Sequence, residues 1–227
     1  MRHQEIHHRQ AKALELFAFD RQVMRCDDGS LFTIAGIDEA GRGPLAGPVV
    51  VAGVILPLNS QFMLEVDDSK KLSETQRQDL AAALRDTPDV RIAVAMRSAA
   101  DIDRLNILRA THEGMREVAR ALAPDLALVD GLRVPSFPVN ARFLVKGDAR
   151  SASIAAASII AKTTRDSYMQ ELDRRYPGYG FAEHKGYGTK AHLQALAALG
   201  PCPEHRMSFA PLRPPQENAP RQLELPF

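Results

Sequence analysis

Four carboxylates each follow a short apolar run in this chain, and their chemistry is the most distinctive that the sequence offers. They are Asp38 and Glu39, Asp130 and Asp148. Short apolar runs bounded by Gly and Pro are typical of buried strands, and ligands in sheet proteins gather just beyond strand ends. Acids that converge repel one another, and a cation relieves that repulsion. The pattern therefore predicts a metal site.

The ligand types narrow the choice of metal. Oxygen donors with no Cys and no clustered His favour Mg²⁺ or Mn²⁺ over Zn²⁺. Two such ions held about 3.5–4 Å apart hydrolyse phosphodiesters without a protein nucleophile. Adjacent strand residues point to opposite faces, so Asp38 and Glu39 can share a site only if the strand bends near Gly41 or if Glu39 lends its carbonyl oxygen. The competing interpretation is that each acid is a solvated residue at the end of a strand.

A glycine-bracketed arginine, Gly41-Arg42-Gly43, comes next in the chain. The dinucleotide-binding fingerprint requires a helix directly afterwards, and the strand-like run 48–56 takes that place. Two interpretations stay open. The segment is a tight turn, or its bare backbone touches a ligand such as a sugar hydroxyl.

Basic side chains flank the acidic segments, and two of them, Lys162 and Arg165, fall three residues apart on one face of a helix. The full set is Lys70, Lys71, Lys146, Arg150, Lys162, Arg165 and Lys185. Each taken alone is typical of a solvated surface charge, but as a set around an acidic centre they could follow a phosphate backbone. Tyr187 lies between two glycines, where it either packs or stacks on a sugar or base. The net charge of +1 requires any nucleic-acid partner to use such a local patch.

The elements that must position these residues can be predicted from periodicity and from capping residues. We expect strands at 33–37, 48–56, 90–96, 126–129 and 143–145 and helices at 11–24, 73–84, 101–122, 151–176 and 189–199, with a loop at 183–188. Ser73 and Thr189 are the expected N-caps, and the run of alanines from Ala155 predicts a close approach of the fourth helix to the sheet. Strands followed by mixed helices and strands indicate an α/β fold with a mixed sheet.

Length and composition indicate one large domain with ordinary globular character, 45% hydrophobic and 25% charged. We expect an N-terminal extension at 1–30, a catalytic domain at 31–210 and a Pro-rich tail at 211–227. The two cysteines, Cys26 and Cys202, lack metal-site spacing, which favours a reduced cytoplasmic protein. The polar N-terminus has no apolar core of a secretory signal, and Gly and Pro interrupt the one long apolar run, which argues against a membrane span.

Seven segments follow one another in a fixed order over residues 33–210. They are GIDEAGRGPLAGPV at 36–49, DSKKL at 68–72, VDG at 129–131, KGD at 146–148, SASIAAASIIAK at 151–162, HKGYGT at 184–189 and HRMSF at 205–209. Together and in this order they resemble the motifs of bacterial ribonuclease HII. The resemblance implies a ribonuclease H-like fold, a mixed central sheet flanked by helices with a helical C-terminal part. It implies a monomeric endonuclease that cuts the RNA strand of RNA–DNA hybrids. It also implies nicking 5′ of single ribonucleotides in duplex DNA, which leaves 5′-phosphate and 3′-hydroxyl ends.

The same resemblance implies roles for individual residues. The metal-binding and catalytic acids would be Asp38, Glu39, Asp130 and Asp148, with Mn²⁺ or Mg²⁺ as cofactor. The residues that read the ribose 2′-hydroxyl would be Gly41, Arg42, Gly43 and Tyr187, and those that hold phosphates would be Lys70 or Lys71, Ser151 or Ser153, and Lys162.

The last six residues of the chain, 222–227, resemble the short peptide with which bacterial replication and repair proteins bind the sliding clamp. The clamp-contacting residues would be Gln222, Leu223, Leu225 and Phe227. A glutamine, leucines and an aromatic on a Pro-rich tether suit an apolar groove. The competing interpretation is a chance apolar ending.

Two other functions stay open on the sequence alone. Another two-metal nuclease of the same fold would not require ribose, so it would also cut all-DNA duplexes. A non-catalytic nucleic-acid-binding module would be indifferent to Mg²⁺ and to the substitution Asp38→Asn.

Overall fold

The computed structural model describes residues 2–25, 32–57 and 72–213, with side chains from residue 11 onward. Its centre is a five-stranded sheet with the order β3-β2-β1-β4-β5. The strands are β1 (Ile34–Ala40), β2 (Val49–Ile55), β3 (Arg91–Arg97), β4 (Leu126–Asp130) and β5 (Ala141–Leu144). All five were predicted, with boundaries that differ by at most three residues.

The described helices are α1 (Arg2–Met24), α2 (Glu74–Asp86), α3 (Ala99–Leu105), α4 (Ile107–Leu122), α5 (Ala152–Arg175), α6 (Phe181–His184) and α7 (Lys190–Leu199). The predicted caps are confirmed, because the hydroxyls of Ser73 and Thr189 accept backbone N–H groups at the starts of α2 and α7. The single helix predicted over 101–122 is wrong. Asn106, at φ +67°, separates α3 from α4 and accepts the N–H of Arg109 with its side chain. The short helix α6 begins at Phe181, ahead of the predicted loop 183–188, and includes the first two residues of that loop.

Two helices cover the sheet, one on each face. The buried alanines of α5 pack with Ala52 and Val54 of β2, whereas Met115 and Val118 of α4 pack with Ile37 of β1. The predicted close approach of α5 is confirmed at Gly36. A Cβ built there would lie 2.0 Å from the backbone carbon of Ser153, so β1 accepts only glycine at this crossing.

Strand direction brings the predicted acids to one edge of the sheet. β1, β4 and β5 are mutually parallel, with Ile37 opposite Val129 and Asp130 opposite Leu144, while β2 and β3 join by antiparallel pairing. The carboxyl ends of the three parallel strands therefore meet at the same edge, where β1 carries Asp38 and Glu39. The mixed sheet with flanking helices and a helical C-terminal part confirms the predicted α/β architecture.

The N-terminal helix α1 starts nine residues earlier than the prediction and packs along α5. Its Asp20 is buried and accepts hydrogen bonds from both the backbone N–H and the hydroxyl of Ser153, each at 2.8 Å. The domain limits at 30 and 210 stay predictions. Across the three described ranges, no helix is both long and apolar enough to cross a membrane.

Candidate active site

A pocket of about 560 Å³ opens at the edge where β1 and β4 end. Its lining combines acidic, basic and glycine residues with one aromatic. They are Asp38, Glu39, Ala40, Gly41, Arg42, Gly43, Arg77, Asp130, Ser158, Lys162, Arg165 and Tyr187. The structure thus brings three of the four predicted acids together with the glycine-bracketed arginine and the predicted tyrosine.

Asp38 is the most buried of the pocket acids, with 6% of its surface exposed. Its Oδ1 accepts the backbone N–H of Glu39 at 2.7 Å, and the side chain of Ser158 is a further hydrogen-bond partner. Burial raises the pKa of Asp38 well above its usual value, and the charges of Glu39 and Asp130 raise that pKa further. These effects show that the three carboxylates are close enough to repel one another.

Glu39 lies in the pocket although β1 continues unbroken through it to Ala40. The chain turns only at Gly41, with φ +92°. One carboxylate oxygen, Oε1, accepts from Arg42 Nη1 at 3.3 Å, whereas Oε2 is buried without a hydrogen-bond partner among the described residues. Burial raises the pKa of Glu39, and the nearby Arg42 partly offsets that increase.

Asp130 and Asp148 are linked through one short turn. Asp130 Oδ1 accepts the N–H of Gly147 at 2.6 Å, and Asp148 follows directly in a 3₁₀ turn over Gly147–Ala149. Asp148 is buried, with Oδ1 accepting the N–H of Ala149 at 3.0 Å. It does not belong to the pocket lining, so the structure places three acids in the pocket and the fourth in the adjoining turn.

The four acids offer the type of ligand atom that a hard divalent cation binds. All their donors are oxygens, the charges of Glu39 and Asp130 raise the pKa of Asp38, and Oε2 of Glu39 is a buried acceptor that a cation would satisfy. Within the described ranges, however, no three His, Cys, Asp or Glu side chains are arranged to hold a metal ion as they stand. The acids are neighbours, and ligand geometry would require them to adjust.

Tyr187 faces the glycine loop across the pocket mouth. A Cβ built on Gly43 would lie 3.7 Å from Tyr187 Cε1, and 48% of the tyrosine surface is exposed. Its backbone carbonyl is hydrogen-bonded to His192 Nδ1 at 2.9 Å. The ring of Tyr187 is therefore available to a ligand, while the hydrogen bond with His192 holds the tyrosine backbone in place.

The predicted phosphate contacts are distributed unevenly. Lys162 lines the pocket and forms an ion pair with Asp166 at 2.5 Å, whereas Lys146 is exposed at φ +56° and does not line it. The other predicted contacts lie outside the described residues. These are Lys70, Lys71 and the tail residues Gln222, Leu223, Leu225 and Phe227.

The two serines predicted as phosphate contacts have hydrogen-bond partners inside the protein. Ser151 and Ser153 are both buried. The hydroxyl of Ser151 caps α5 by accepting the N–H of Ile154, and that of Ser153 donates to Asp20. Both hydroxyls help to hold the start of α5 in place, and their contacts with phosphate stay predictions.

Three pocket residues were not selected from the sequence as site residues. Arg77 and Arg165 add positive charge to the lining, and Ser158 contacts Asp38. Ser158 and Arg165 lie on α5, four residues before and three residues after Lys162, at spacings that face the same side of a helix. The sequence already placed Arg165 on the helix face of Lys162 among the basic residues, and the same spacing was a usable signal for Ser158, whereas nothing local pointed to Arg77.

A mixed sheet that gathers carboxylates at the ends of its parallel strands, beside basic side chains, is the architecture of the ribonuclease H-like class of nucleases. The chain belongs to the ribonuclease HII family, since the model of that family, Ribonuclease HII, matches residues 35–212. It is an endonuclease of the hydrolase class, and members of its family act on RNA–DNA substrates.

Individual relatives agree with that assignment. The ribonuclease HII of Geobacter sulfurreducens is 55% identical over 183 residues, which cover 80% of this chain and 83% of the relative. The ribonuclease HII solved in a complex with PCNA from Archaeoglobus fulgidus is 31% identical, with a TM-score of 0.67 over 77% of this chain and 94% of that one. The ribonuclease H2 of Pyrococcus horikoshii is 27% identical, with a TM-score of 0.65 over 80% and 95%. The predicted ribonuclease H-like fold is thereby confirmed.

Proposed function

We propose that this enzyme, besides cutting the RNA strand of hybrids, nicks duplex DNA on the 5′ side of a single embedded ribonucleotide. The products carry 5′-phosphate and 3′-hydroxyl ends. One observation supports this most directly: a glycine loop and an exposed tyrosine flank the same pocket that holds three carboxylates. A lone ribonucleotide in DNA differs only by its 2′-hydroxyl, and close backbone contact is a means of detecting it.

In this proposal Asp38, Glu39, Asp130 and Asp148 would hold Mn²⁺ or Mg²⁺. Members of the ribonuclease H family depend on divalent metal ions. When bound, such ions activate water and stabilise the charge that develops on the phosphate and the leaving oxygen. The four carboxylates supply the oxygen donors, the charges of Glu39 and Asp130 act on Asp38, and Ser158 orients Asp38.

The remaining pocket residues bind and orient the nucleic acid. The backbone of Gly41 and Gly43 and the side chain of Arg42 contact the ribose, with Tyr187 packing on the sugar from the other side. Lys162, Arg77 and Arg165 supply positive charge for phosphates along the pocket. Ribose selection and hydrolysis then take place in one continuous site.

The test compares a DNA duplex that carries one ribonucleotide with the matching all-DNA duplex, each incubated with Mn²⁺, Mg²⁺ or EDTA. We expect a metal-dependent nick 5′ of the ribonucleotide and no cut in the all-DNA duplex. End-labelling of the product establishes the 5′-phosphate and the 3′-hydroxyl.

The same assay separates the competing functions. Equal cutting of both duplexes would indicate a nuclease of this fold without ribose selection. Cutting of a continuous hybrid without any nick at the single ribonucleotide would confine the activity to hybrids. No cutting with either metal would favour a non-catalytic binding module.

We also propose that residues 222–227 bind the bacterial sliding clamp. The relative from Archaeoglobus fulgidus was solved in complex with PCNA, and the glutamine–leucine–aromatic pattern of this tail suits an apolar groove on such a partner. Tethering would raise the local concentration of the enzyme on newly made DNA. A monomeric state and a cytoplasmic location stay predictions from the sequence.

A further inference from the structure

Arg206 is a fully buried cation whose role the acids and the pocket lining do not explain. Its exposed fraction is 0%, and its guanidinium stacks 5.2 Å from the centre of the Phe209 ring. Burial, with a contribution from the charge of Arg165, lowers the pKa of Arg206 to about 9, which still leaves it charged at neutral pH. A buried charge is costly unless its donors are used, so the partners of this guanidinium indicate its purpose.

The hydrogen-bond partners of Arg206 are backbone carbonyls of the segment that contains the glycine loop. Nη2 donates to the carbonyl of Gly41 at 2.6 Å, and Nη1 donates to that of Arg42 at 2.9 Å. Nε donates to the carbonyl of Gly47 at 3.0 Å. One planar fork therefore fixes both ends of the turn that follows β1, across more than 150 residues of sequence.

These contacts set the direction of the loop peptides. In a trans peptide the N–H points opposite to the C=O of the same unit. Because the carbonyls of Gly41 and Arg42 point to Arg206, the N–H groups of Arg42 and Gly43 point away from it. Gly41, Arg42 and Gly43 line the pocket, whereas Arg206 does not. The guanidinium therefore lies on the side of the loop away from the pocket, and the N–H groups of Arg42 and Gly43 point to the pocket side.

The segment that carries Arg206 is itself anchored at several points. Asp103 at the end of α3 accepts the N–H groups of Met207 and Ser208, each at 2.9 Å. The N–H of Arg206 donates to the carbonyl of Leu45, and that of Gly47 donates to the carbonyl of Glu204, each at 2.8 Å. The guanidinium is thus held in a rigid frame that includes α3 and the glycine loop.

We propose that Arg206 is a positioning residue for ribose recognition: it holds the Gly41–Gly43 loop so that the N–H groups of Arg42 and Gly43 face the substrate. The inference rests on the proposed reading of the ribose by that loop. It assigns a function to the C-terminal segment 205–209, which contributes no side chain to the pocket lining. A lysine could reach one carbonyl at a time, so the role depends on the planar fork of arginine.

The experiment compares Arg206→Met and Arg206→Lys with the unmodified enzyme and with the control Arg91→Met. Arg91 also donates to a backbone carbonyl, that of Leu122, but it lies on β3 opposite Ile55, at the end of the sheet away from the acids. Hydrogen–deuterium exchange of the free, full-length protein is followed in peptides that cover residues 41–48. KM and kcat are measured on a continuous RNA–DNA hybrid and on a duplex with one ribonucleotide.

We expect faster exchange in the 41–48 peptides of both Arg206 variants and unchanged exchange there in Arg91→Met. We expect kcat/KM on the single ribonucleotide to fall about tenfold or more, as for the loss of one or two recognition hydrogen bonds, with a smaller fall on the continuous hybrid. Exchange that stays at the unmodified rate, or equal losses on the two substrates, would overturn the proposal. Full activity of Arg206→Lys would overturn the need for the fork.

A second variant covers the case in which Arg206→Met does not fold. Asp103→Asn weakens the anchor of Met207 and Ser208 without touching the pocket, and we expect the same pattern at reduced size. Unchanged exchange in the 41–48 peptides of Asp103→Asn would contradict the claim that the Asp103 anchor helps to hold Arg206 and the glycine loop. Exchange reports on the free protein, so failure to nick at a single ribonucleotide would reject the proposed function separately from the positioning of the loop.

Discussion

At the scale of single residues, the pocket acids destabilise the fold electrostatically but offer ligands for metal-dependent chemistry. Asp38 is buried beside Glu39 and Asp130, and each nearby charge raises its pKa. Such a cluster destabilises the metal-free fold, because like charges are held together away from water. We infer that the acids are kept for chemistry and not for stability.

The substitution Asp38→Asn tests that inference. We expect hydrolysis to fall by at least about 10²-fold, since even the partners of metal ligands are worth 10- to 100-fold in metal affinity or activity. We expect the melting temperature of the metal-free protein to stay equal or rise, because one repelling charge is removed. Hydrolysis is measured on an RNA–DNA hybrid, and melting is followed in EDTA.

The exposed Asp86 at the end of α2 supplies the matched control. Asp86→Asn should change neither activity nor metal response. In the unmodified enzyme, saturating Mn²⁺ or Mg²⁺ should raise the melting temperature, because a ligand that binds only the folded state stabilises it. An equal rise in Asp38→Asn would show that Asp38 is not part of the metal site.

At the scale of elements, a buried carboxylate helps to join α1 to the catalytic unit, beside the apolar packing of Leu16 against α5. Asp20 accepts two hydrogen bonds from Ser153 at the start of α5, where a negative charge is also favoured by the helix dipole. The same turn of chain leads from Asp148 into α5. The helix α1 therefore supports the segment that positions one of the proposed metal ligands.

The substitution Asp20→Ala should lower the free energy of unfolding by about 1–3 kcal/mol, because it leaves the buried N–H of Ser153 without its acceptor. Urea denaturation gives the value. Glu15→Ala on the same helix is the control. Among the described residues Glu15 pairs with Lys12 alone, and its side chain is 69% exposed, so its loss should cost less than about 0.5 kcal/mol. Equal effects of the two variants would mean that Asp20 does not anchor α1.

Two buried histidines connect the C-terminal elements behind Tyr187. His192 Nε2 lies 3.1 Å from His205 Nε2, so one nitrogen must accept a hydrogen bond and stay unprotonated. Burial lowers the pKa of both imidazoles below the ordinary value of 6.5. The unfolded chain then binds more protons than the folded protein in mild acid, so stability is complete above about pH 6.5 and falls as the pH drops below it.

Urea denaturation at a series of pH values between about 5 and 8 checks this sign. The slope of stability against pH should be smaller in His205→Gln, which removes one of the two titrating rings. His112, half-buried on α4, also has a lowered pKa. Because His112 is present in both the unmodified protein and His205→Gln, the difference between their slopes reports on the His192–His205 pair. Stability that is constant or rises on acidification would contradict the prediction.

At the scale of the whole molecule, the tail should act separately from the catalytic unit. Truncation after Pro220 should leave cleavage of a short ribonucleotide-containing duplex unchanged, because the pocket is built from residues 38–187. It should abolish binding to the purified bacterial clamp, measured by surface plasmon resonance. Retention of clamp binding by the truncated protein would reject the role of residues 222–227, and a Glu224→Gln variant of the full chain serves as the control within the tail.

The sequence by itself determined the features that depend on local chemistry. Strand ends that carry acids, the caps Ser73 and Thr189, and the small residues of α5 were all predictable, because periodicity and capping act over a few residues. The ordered motifs also indicated the family. The break at Asn106 was missed because both sides of it have helical composition, and a left-handed residue that caps the next helix is hard to distinguish from a helical one.

Only the tertiary structure decided how distant segments use one another. Ser151 and Ser153 have the residue type of phosphate ligands, yet both are buried in the packed protein. The hydroxyl of Ser153 donates a hydrogen bond to Asp20, 133 residues away. Arg206 meets the carbonyls of Gly41 and Arg42 across 165 and 164 residues. Such pairs arise when the sheet and helices pack, because packing chooses which buried donors find which acceptors, and no local pattern records that choice.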